Sequence, residues 1–181
     1  MRYRRLRMEG ATYFFTVVTF DRRPIFACRA AVDLLSDAIA EIRGRYPFTV
    51  EAQVILPDHL HAMWSLPAND ANYSKRWSLI KAVFSRRYAS TGPLPTRDAS
   101  RRRKREQTVW QRRFWEHLVH DDEDYGTHLD YIHYNPVKHG FVLTAGEWPH
   151  STFGEWVARG VYPGGWGSDR EPKLPPWSGR E

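Results

Sequence analysis

One stretch, residues 56–64, constrains the fold more than any other part of the sequence: Leu-Pro-Asp-His-Leu-His-Ala-Met-Trp. Pro57 ends one strand-like run, and a new alternating run begins after Asp58. Because successive side chains of a strand point to opposite faces, His59 and His61 share one face. The other face is apolar and is predicted to lie against the core; it carries Leu60, Ala62, Trp64 and Leu66.

The two histidines allow two interpretations. Two imidazoles side by side on a rigid strand form half of a divalent-metal site, with neutral ring nitrogens as ligands. The alternative is a pair of polar histidines on the solvent face of an antiparallel strand, and a short His-x-His motif by itself favours that alternative. The choice between them depends on a second group of residues further along the chain.

Composition and net charge indicate which kinds of protein this sequence could encode. The chain has 181 residues, 41% of them hydrophobic, which is typical of a folded protein. Its net charge of +6 favours an anionic partner, nucleic acid ahead of membranes. The single cysteine, Cys28, excludes an internal disulfide and fits a reducing cytoplasm.

Residues 1–159 are expected to form one domain with a basic loop at about 91–107. A Gly/Pro-rich tail, 160–181, is expected to follow without a core of its own.

The N-terminal segment imitates a secretory signal. A basic arm precedes the apolar run 11–20 and carries Arg2, Arg4, Arg5 and Arg7. The run is rich in β-branched and aromatic residues, is too short to span a bilayer, and has no small-residue cleavage site after it. A first β-strand behind a basic arm is therefore predicted.

The spacing of apolar residues predicts most of the regular elements. Three- and four-residue spacing predicts an amphipathic helix over 29–45, and alternation predicts a half-buried strand over 48–56 that forms a hairpin with the histidine strand. A second helix over 74–90 is predicted to be capped by Ser74. A fourth strand is predicted over 109–120.

The last long helix is predicted to begin at the acidic residues 121–124, where negative charge suits the helix dipole. Leu129 and Ile132 form its apolar seam. Pro136 disfavours helical geometry at Asn135, so the helix is expected to end or bend there.

Two basic regions are candidates for phosphate contacts. The second helix carries Lys81, Arg86 and Arg87, which either bind DNA or form an ordinary solvated face. The predicted mobile loop at 91–107 contains five consecutive basic residues at 101–105, which either grip phosphates or only add solubility.

The second group of residues lies on the last helix. His128, Tyr131 and Asn135 stand at i, i+3 and i+7, so they share one face, away from Leu129 and Ile132. A tyrosine on a helix most often packs, but beside a metal half-site it has a chemical use. A divalent ion would polarise a phosphodiester, and the phenolate could attack phosphorus to leave a phosphotyrosine link and a free hydroxyl. Asn135 can supply a carbonyl oxygen as a third ligand, a set that suits Mg²⁺ or Mn²⁺ better than a structural zinc site.

The two motifs, in this order and spacing, resemble a known family. His59-Leu60-His61 matches the His-hydrophobic-His motif of the HUH single-tyrosine transposases. Residues 130–140 (Asp-Tyr-Ile-His-Tyr-Asn-Pro-Val-Lys-His-Gly) resemble the tyrosine helix of one branch, the REP-associated tyrosine transposases. Residues 109–115 and 148–153 also resemble that branch, and the similarity covers roughly residues 5–166.

The resemblance implies a fold, an activity and a setting. The implied fold is α+β, a ferredoxin-like antiparallel sheet backed by helices with the HUH motif on a central strand. The implied activity is cutting of single-stranded DNA at or near hairpins of repetitive extragenic palindromes, through a 5′-phosphotyrosine intermediate. Tyr131 would be the nucleophile, and His59 and His61 would hold Mg²⁺ or Mn²⁺. The protein is expected to be bacterial, cytoplasmic and nucleoid-associated, as a monomer or a homodimer.

Two positions complicate the resemblance. Asn135 stands where the wider family usually has glutamine, which keeps the carbonyl but shortens the arm. Tyr134 is a competing nucleophile, but it lies on a different helix face from Asn135, so Tyr131 is preferred. The residues expected to bind DNA are Arg2, Arg4, Arg5, Arg7, Lys81, Arg86, Arg87, Arg102, Arg103 and Lys138.

Two other functions stay open at this point. One is a domesticated DNA-hairpin-binding protein in which catalysis is vestigial. The other is a metal hydrolase that activates water and forms no covalent intermediate. A denaturing gel of protein incubated with metal and labelled hairpin DNA distinguishes all three, because only the transposase leaves protein-linked DNA.

Overall fold

In the computed structural model, which describes residues 7–96, 98–103, 107–168 and 171–176, four strands form one antiparallel sheet. The strands are β1 (Thr12–Val18), β2 (Thr49–Ile55), β3 (His59–Ser65) and β4 (Trp115–Leu118), in the order β2-β3-β1-β4. The histidine strand β3 therefore lies inside the sheet and forms the predicted hairpin with β2. The α+β class with a central histidine strand is confirmed.

The α-helices of the described residues are α1 (Arg29–Arg45), α2 (Tyr73–Ala89), α3 (Ala99–Arg103), α4 (Asp122–Lys138) and α5 (Phe153–Ala158). Short 3₁₀ turns occur at Phe20–Arg22, Ile25–Ala27 and Ala145–Glu147. The predicted bounds of α1 are confirmed. In the ranges that the structure describes, no helix is both long and apolar enough to cross a membrane.

Helix α2 begins at Tyr73, and its cap lies two residues before the predicted one. The Asn72 side chain accepts a hydrogen bond from the Lys75 backbone N–H at 3.1 Å, so Asn72 and not Ser74 caps the helix. Asparagine is as good a cap as serine, and the earlier position lets Tyr73 enter the core as the first helical residue. The prediction of a Ser74 cap is wrong.

Helices cover both faces of the sheet. On one face, Phe15 and Trp64 pack with Trp77 of α2, whose ring stacks on that of Trp64 at 4.1 Å between centroids. On the other face, Phe14 and Met63 pack with α4 and the chain that follows it. The histidine-bearing face of β3 is thus buried under α4 and is not a solvent face.

A register irregularity divides β2 between the two cores. The pairing with β3 shifts between Val50 and Ala52, which is the mark of a β-bulge. Because of this shift, Phe48 and Val50 pack in the first core, whereas Ala52 and Val54 lie in the second. The predicted alternation over 48–56 is correct on each side of the bulge and wrong across it.

The fourth strand is shorter than predicted. It pairs with β1 over only four residues, Trp115–Leu118. Trp110 makes an isolated bridge with Thr19 and is buried against Phe26 and Phe84, so the chain between it and β4 leaves the sheet. The strand predicted over 109–120 is therefore wrong for its first half.

The predicted basic loop contains a short helix and a buried arginine. Arg101 of α3 places its guanidinium 4.5 Å from the centre of the Phe20 ring and donates a hydrogen bond to the Gln107 carbonyl at 3.0 Å. The buried Arg101 side chain therefore holds the segment around α3 against the core. Arg102 and Arg103 are exposed on the same helix, while residues 104–106 lie outside the described residues.

Helix α4 continues past its proline to Lys138, so of the two outcomes expected at Asn135, an end or a bend, the end does not occur there. Pro136 lies in the last turn, where its missing N–H removes one intrahelical hydrogen bond. The turn is still closed by the His139 N–H, which donates to the Asn135 carbonyl at 3.0 Å. Asp121 caps the other end by accepting from the Asp124 N–H at 2.8 Å.

Tyr162 and Trp166, which follow α5, pack on the second core. Tyr162 donates from its hydroxyl to Asp130 Oδ1 at 2.6 Å, and its ring lies 4.6 Å from that of Trp166. Both rings contact Phe153 of α5. A division of the chain into a domain ending at 159 and a tail stays a prediction.

Candidate active site

The two histidines of β3 are buried beneath α4 with their rings close together. Their side chains are 2% and 0% exposed, and the ring centroids of His59 and His61 lie 4.9 Å apart. The sheet register pairs His61 with Thr16 of β1, whose Oγ1 lies 3.0 Å from His61 Nδ1. His59 Nδ1 lies 2.6 Å from Asp58 Oδ1. Since Nδ1 of each ring is engaged in this way, the Nε2 atoms are the candidates for metal ligation.

Asp58 orients His59 and is itself held by Arg22. Arg22 Nη1 donates to Asp58 Oδ2 at 3.0 Å. Burial alone would raise the pKa of the Asp58 carboxyl, but the hydrogen bonds and charges of His59 and Arg22 outweigh it and lower that pKa to about 2. The carboxylate thus stays ionised and favours the His59 tautomer with its proton on Nδ1. The sequence offered one clue to this role, the position of an aspartate directly before the histidine motif.

Tyr131 lies on α4 directly over the histidine strand. Its side chain is 0% exposed, and its ring lies 5.2 Å from the His61 ring, nearly edge to face. Phe14 also contacts it, at 6.0 Å between centroids. Leu129 and Ile132 are buried, as expected of the predicted apolar seam, and the face that carries Tyr131 and Asn135 is buried as well. The helix is buried on both sides because the sheet covers one and the chain after residue 145 covers the other.

Lys138 reaches back to the Tyr131 hydroxyl. Its Nζ donates to Tyr131 Oη at 3.3 Å and lies 4.9 Å from the centre of the tyrosine ring. Burial lowers the pKa of Lys138, and the negative charge of Glu171 opposes this shift. The sequence marked Lys138 as a DNA contact only, although its position seven residues after Tyr131 is a spacing that puts two helical residues on one face.

Asn135 is the third candidate ligand, one helical turn after Tyr131. It is 0% exposed, and neither Oδ1 nor Nδ2 has a hydrogen-bond partner in the part of the chain that the structure describes. One turn later, the His139 ring lies 5.4 Å from that of His59, so Asn135 stands between two residues that contact the histidine pair. A buried amide of this kind, on the helix between Tyr131 and His139, fits a divalent ion that prefers oxygen and nitrogen ligands.

The other predicted residues of α4 lie elsewhere. Tyr134 packs against Trp166, 6.2 Å between centroids, on the side of the helix facing the C-terminal segment. His128 lies beyond Phe14, against His117 of β4. The structure therefore brings together Tyr131 and the histidine pair, and it separates Tyr134 and His128 from them.

The predicted DNA-binding residues are distributed over several surfaces. Lys81 and Arg86 line a cleft of about 590 Å³ together with Arg112, between α2 and the segment before β4. Arg87 is instead paired with Glu41 of α1 at 2.6 Å. Arg7 is exposed at the start of the described chain, and Arg2, Arg4 and Arg5 lie outside the described residues.

The site combines paired histidines on a central strand with a tyrosine on the helix that crosses the sheet. This combination is typical of a class of DNA-processing enzymes, and comparison with known families assigns the chain to such a class. The family model described as "Transposase IS200 like" matches residues 7–135. The chain belongs to the family of IS200-like transposases.

Within that family its relatives are the REP-associated tyrosine transposases. A Haemophilus influenzae protein named as a candidate member of that group is 42% identical over 181 residues, covering 95% of this chain and 96% of its own length. An Escherichia coli K12 REP-associated tyrosine transposase is 39% identical over 167 residues, covering 92% and 91%. A solved structure, described as a REP-associated tyrosine transposase bound to a REP hairpin, matches with a TM-score of 0.78 and 38% identity, covering 96% and 94%. The predicted family, enzyme class and fold are confirmed.

Proposed function

We propose that this protein cuts and transfers single-stranded DNA at or beside hairpins of repetitive extragenic palindromes, through a covalent 5′-phosphotyrosine bond on Tyr131. The observation that carries this proposal is the position of Tyr131, whose ring lies 5.2 Å from that of His61 within one chain. The substrate class is supported by the relative that was solved with a REP hairpin. The net charge of +6 is consistent with a polyanionic substrate.

The chain's own residues prepare the site for a phosphate. Asp58 and Thr16 hold the two imidazoles in place, so that His59, His61 and Asn135 can converge as ligands. A divalent cation such as Mg²⁺ or Mn²⁺ held there would polarise the scissile phosphate and offset its negative charge. The buried surroundings strengthen such electrostatic interactions because little water screens them.

The proposed covalent step uses the Tyr131 oxygen. A bond forms between Oη and phosphorus, and the bond from phosphorus to the 3′ oxygen of the preceding nucleotide breaks. The phenol loses one proton and the released 3′ oxygen takes up one proton, so protons balance. Religation is the reverse reaction, with a DNA 3′ hydroxyl attacking the phosphotyrosine.

The deciding experiment is a denaturing gel of the protein with a labelled hairpin that carries single-stranded flanks, in the presence of Mg²⁺ or Mn²⁺. We expect a labelled band at the size of the protein that disappears after protease treatment. Cleavage without such a band would instead indicate a hydrolase that activates water. Tight hairpin binding without cleavage would indicate a binding protein with vestigial catalysis.

Lys138 is proposed to stabilise the phenolate. Replacing Lys138 by methionine is expected to slow adduct formation roughly 100-fold, because a cation within hydrogen-bond distance of the phenol favours its ionised form. The pH at which adduct formation is half-maximal should rise in Lys138→Met and stay near the wild-type value in Lys138→Arg. Single-turnover rates from pH 6 to 10 measure both effects.

The matched control is Lys75, whose ammonium lies 4.1 Å from the ring of another tyrosine, Tyr46, on the opposite core. Lys75→Met should leave both the rate and the pH profile unchanged. An unchanged pH profile in Lys138→Met would remove the proposed role and leave Lys138 as a packing or DNA contact.

The cleft formed by Lys81, Arg86 and Arg112 is proposed to hold the hairpin backbone. Replacing Lys81 and Arg86 together by glutamine should weaken hairpin binding and reduce the slope of log affinity against log salt by about 0.7 to 0.9 for each lost phosphate contact. Arg87→Gln is the control, since its guanidinium is committed to Glu41. Equal slopes for the double variant and the wild type would place the DNA elsewhere.

A further inference from the structure

Three side chains form a cluster apart from the candidate active site. His117 is on β4, and Asp124 and His128 are on α4. His117 Nε2 lies 2.8 Å from Asp124 Oδ2, and His128 Nδ1 lies 2.9 Å from Asp124 Oδ1. The two imidazole rings stack at 4.6 Å between centroids and 15° between planes. The carboxylate is therefore held between two imidazoles from two different elements.

The sheet register explains why these residues meet. Phe14 of β1 pairs with His117 of β4, and the Phe14 ring lies 4.9 Å from that of His128. On its other side the Phe14 ring lies 5.4 Å from the ring of His61. The cluster is thus separated from the histidine pair of β3 by one phenyl ring.

We propose that His117, Asp124 and His128 form a second metal site, for a divalent transition ion such as Zn²⁺. Two imidazole nitrogens and one carboxylate oxygen are a ligand set that zinc takes in three-residue sites. The three ligand atoms all lie within 4.8 Å of one another. An ion at about 2.0–2.2 Å from each atom would draw the three atoms closer together and would replace the hydrogen bond that His128 Nδ1 now makes with the Asp124 backbone carbonyl at 2.8 Å.

The surroundings provide the rest of such a site. His117 and Asp124 are 25% and 20% exposed in their side chains and border a cleft of about 370 Å³ that also involves Thr127, so water can reach the ion as a fourth ligand. The His120 N–H donates to Asp124 Oδ2 at 2.9 Å and would orient the carboxylate from outside the ligand shell. Each imidazole keeps one proton on the nitrogen turned away from the ion.

The position of the cluster gives the ion a structural role. His128 precedes Tyr131 by one helical turn, and His117 lies on the edge strand β4. A bound ion would therefore join the edge of the sheet to the helix that carries the tyrosine. Because an ion that binds only the folded state stabilises it by mass action, the melting temperature should rise with Zn²⁺ concentration.

The test uses the full chain with His59→Ala and His61→Ala, so that the histidine pair of β3 contributes no binding. Titration with Zn²⁺ by calorimetry, and with Co²⁺ by visible absorption, should show one equivalent bound. Adding His117→Ala should weaken this binding by at least about 100-fold and abolish the rise in melting temperature. His150→Ala, a change to a partly exposed histidine outside the cluster, should leave the binding unchanged.

A second comparison avoids any dependence on the folding of the double variant. In the otherwise wild-type chain, His117→Ala should lower the Co²⁺ stoichiometry by one equivalent. The proposal is overturned if the stoichiometry is the same with and without His117, or if the double variant binds no Zn²⁺ at 100 µM metal while folded. Neither readout depends on DNA cleavage, so the result is independent of the proposed function.

Discussion

Tyr131→Phe is expected to abolish the protein–DNA adduct while leaving hairpin binding close to wild type. Phenylalanine keeps the ring that packs between Phe14 and His61 and removes only the hydroxyl that would attack phosphorus. Loss of a nucleophile typically costs four or more orders of magnitude in rate, so the adduct should fall by at least about 10⁴-fold. The measurement is the labelled protein band on a denaturing gel, with hairpin affinity measured in parallel.

Tyr134→Phe is the matched control for this prediction. Tyr134 is on the same helix but packs against Trp166, away from the histidine pair, so its hydroxyl should be dispensable. An adduct that survives in Tyr131→Phe, or one that disappears in Tyr134→Phe, would assign the nucleophile to another residue.

Loss of the histidine pair is expected to have the second-largest effect. Single changes His59→Ala and His61→Ala should each reduce cleavage by at least about 10³-fold, because polarisation of the phosphate by a bound ion is worth several kcal/mol. Chelation of the wild-type protein should stop cleavage, and added Mn²⁺ or Mg²⁺ should restore it. Rates of hairpin cleavage at fixed metal concentration measure the effect.

His150→Gln serves as control for the histidine changes, since His150 is partly exposed and outside the site. Because His61 is fully buried, its removal also leaves a small cavity, so hairpin affinity and melting temperature must be followed in the same variants. Wild-type protein that cleaves at full rate in chelator would exclude a metal-dependent reaction.

Much of the fold follows from local patterns in the sequence. The bounds of α1 and the β2–β3 hairpin were predictable because their apolar spacing and the Pro-Asp turn are local features. The cap of α2, the bulge in β2 and the early end of the fourth strand were not, because packing decides them. Trp110 packs against Phe26 and Phe84 and the chain leaves the sheet after it, which no periodicity within 109–120 indicates.

The candidate site was also predictable in part, where it depends on local spacing. The strand alternation put His59 and His61 on one face, and the helix spacing put Tyr131 and Asn135 on one face. Alternation alone cannot say whether a polar face meets water or a covering helix, so the burial of this face needed coordinates.

Contacts between parts of the chain that are far apart in sequence could not be predicted either. Arg22 reaches Asp58 across thirty-six positions, and His117 meets His128 only after β4 has paired with β1. The acidic residues 121–124 were interpreted as a helix start, which Asp121 confirms by capping α4. That interpretation gave no hint that Asp124 also joins two imidazoles.

The contact between Tyr131 and His61 within a single chain has a consequence for stoichiometry. A reaction centre that needs residues from two subunits loses activity when dilution separates them. In the proposed mechanism one polypeptide supplies both the attacking oxygen and the imidazoles beside it, so turnover per molecule should not fall as the protein is diluted. Any pairing of copies would then serve to bring two DNA ends together and would not be required for the chemistry.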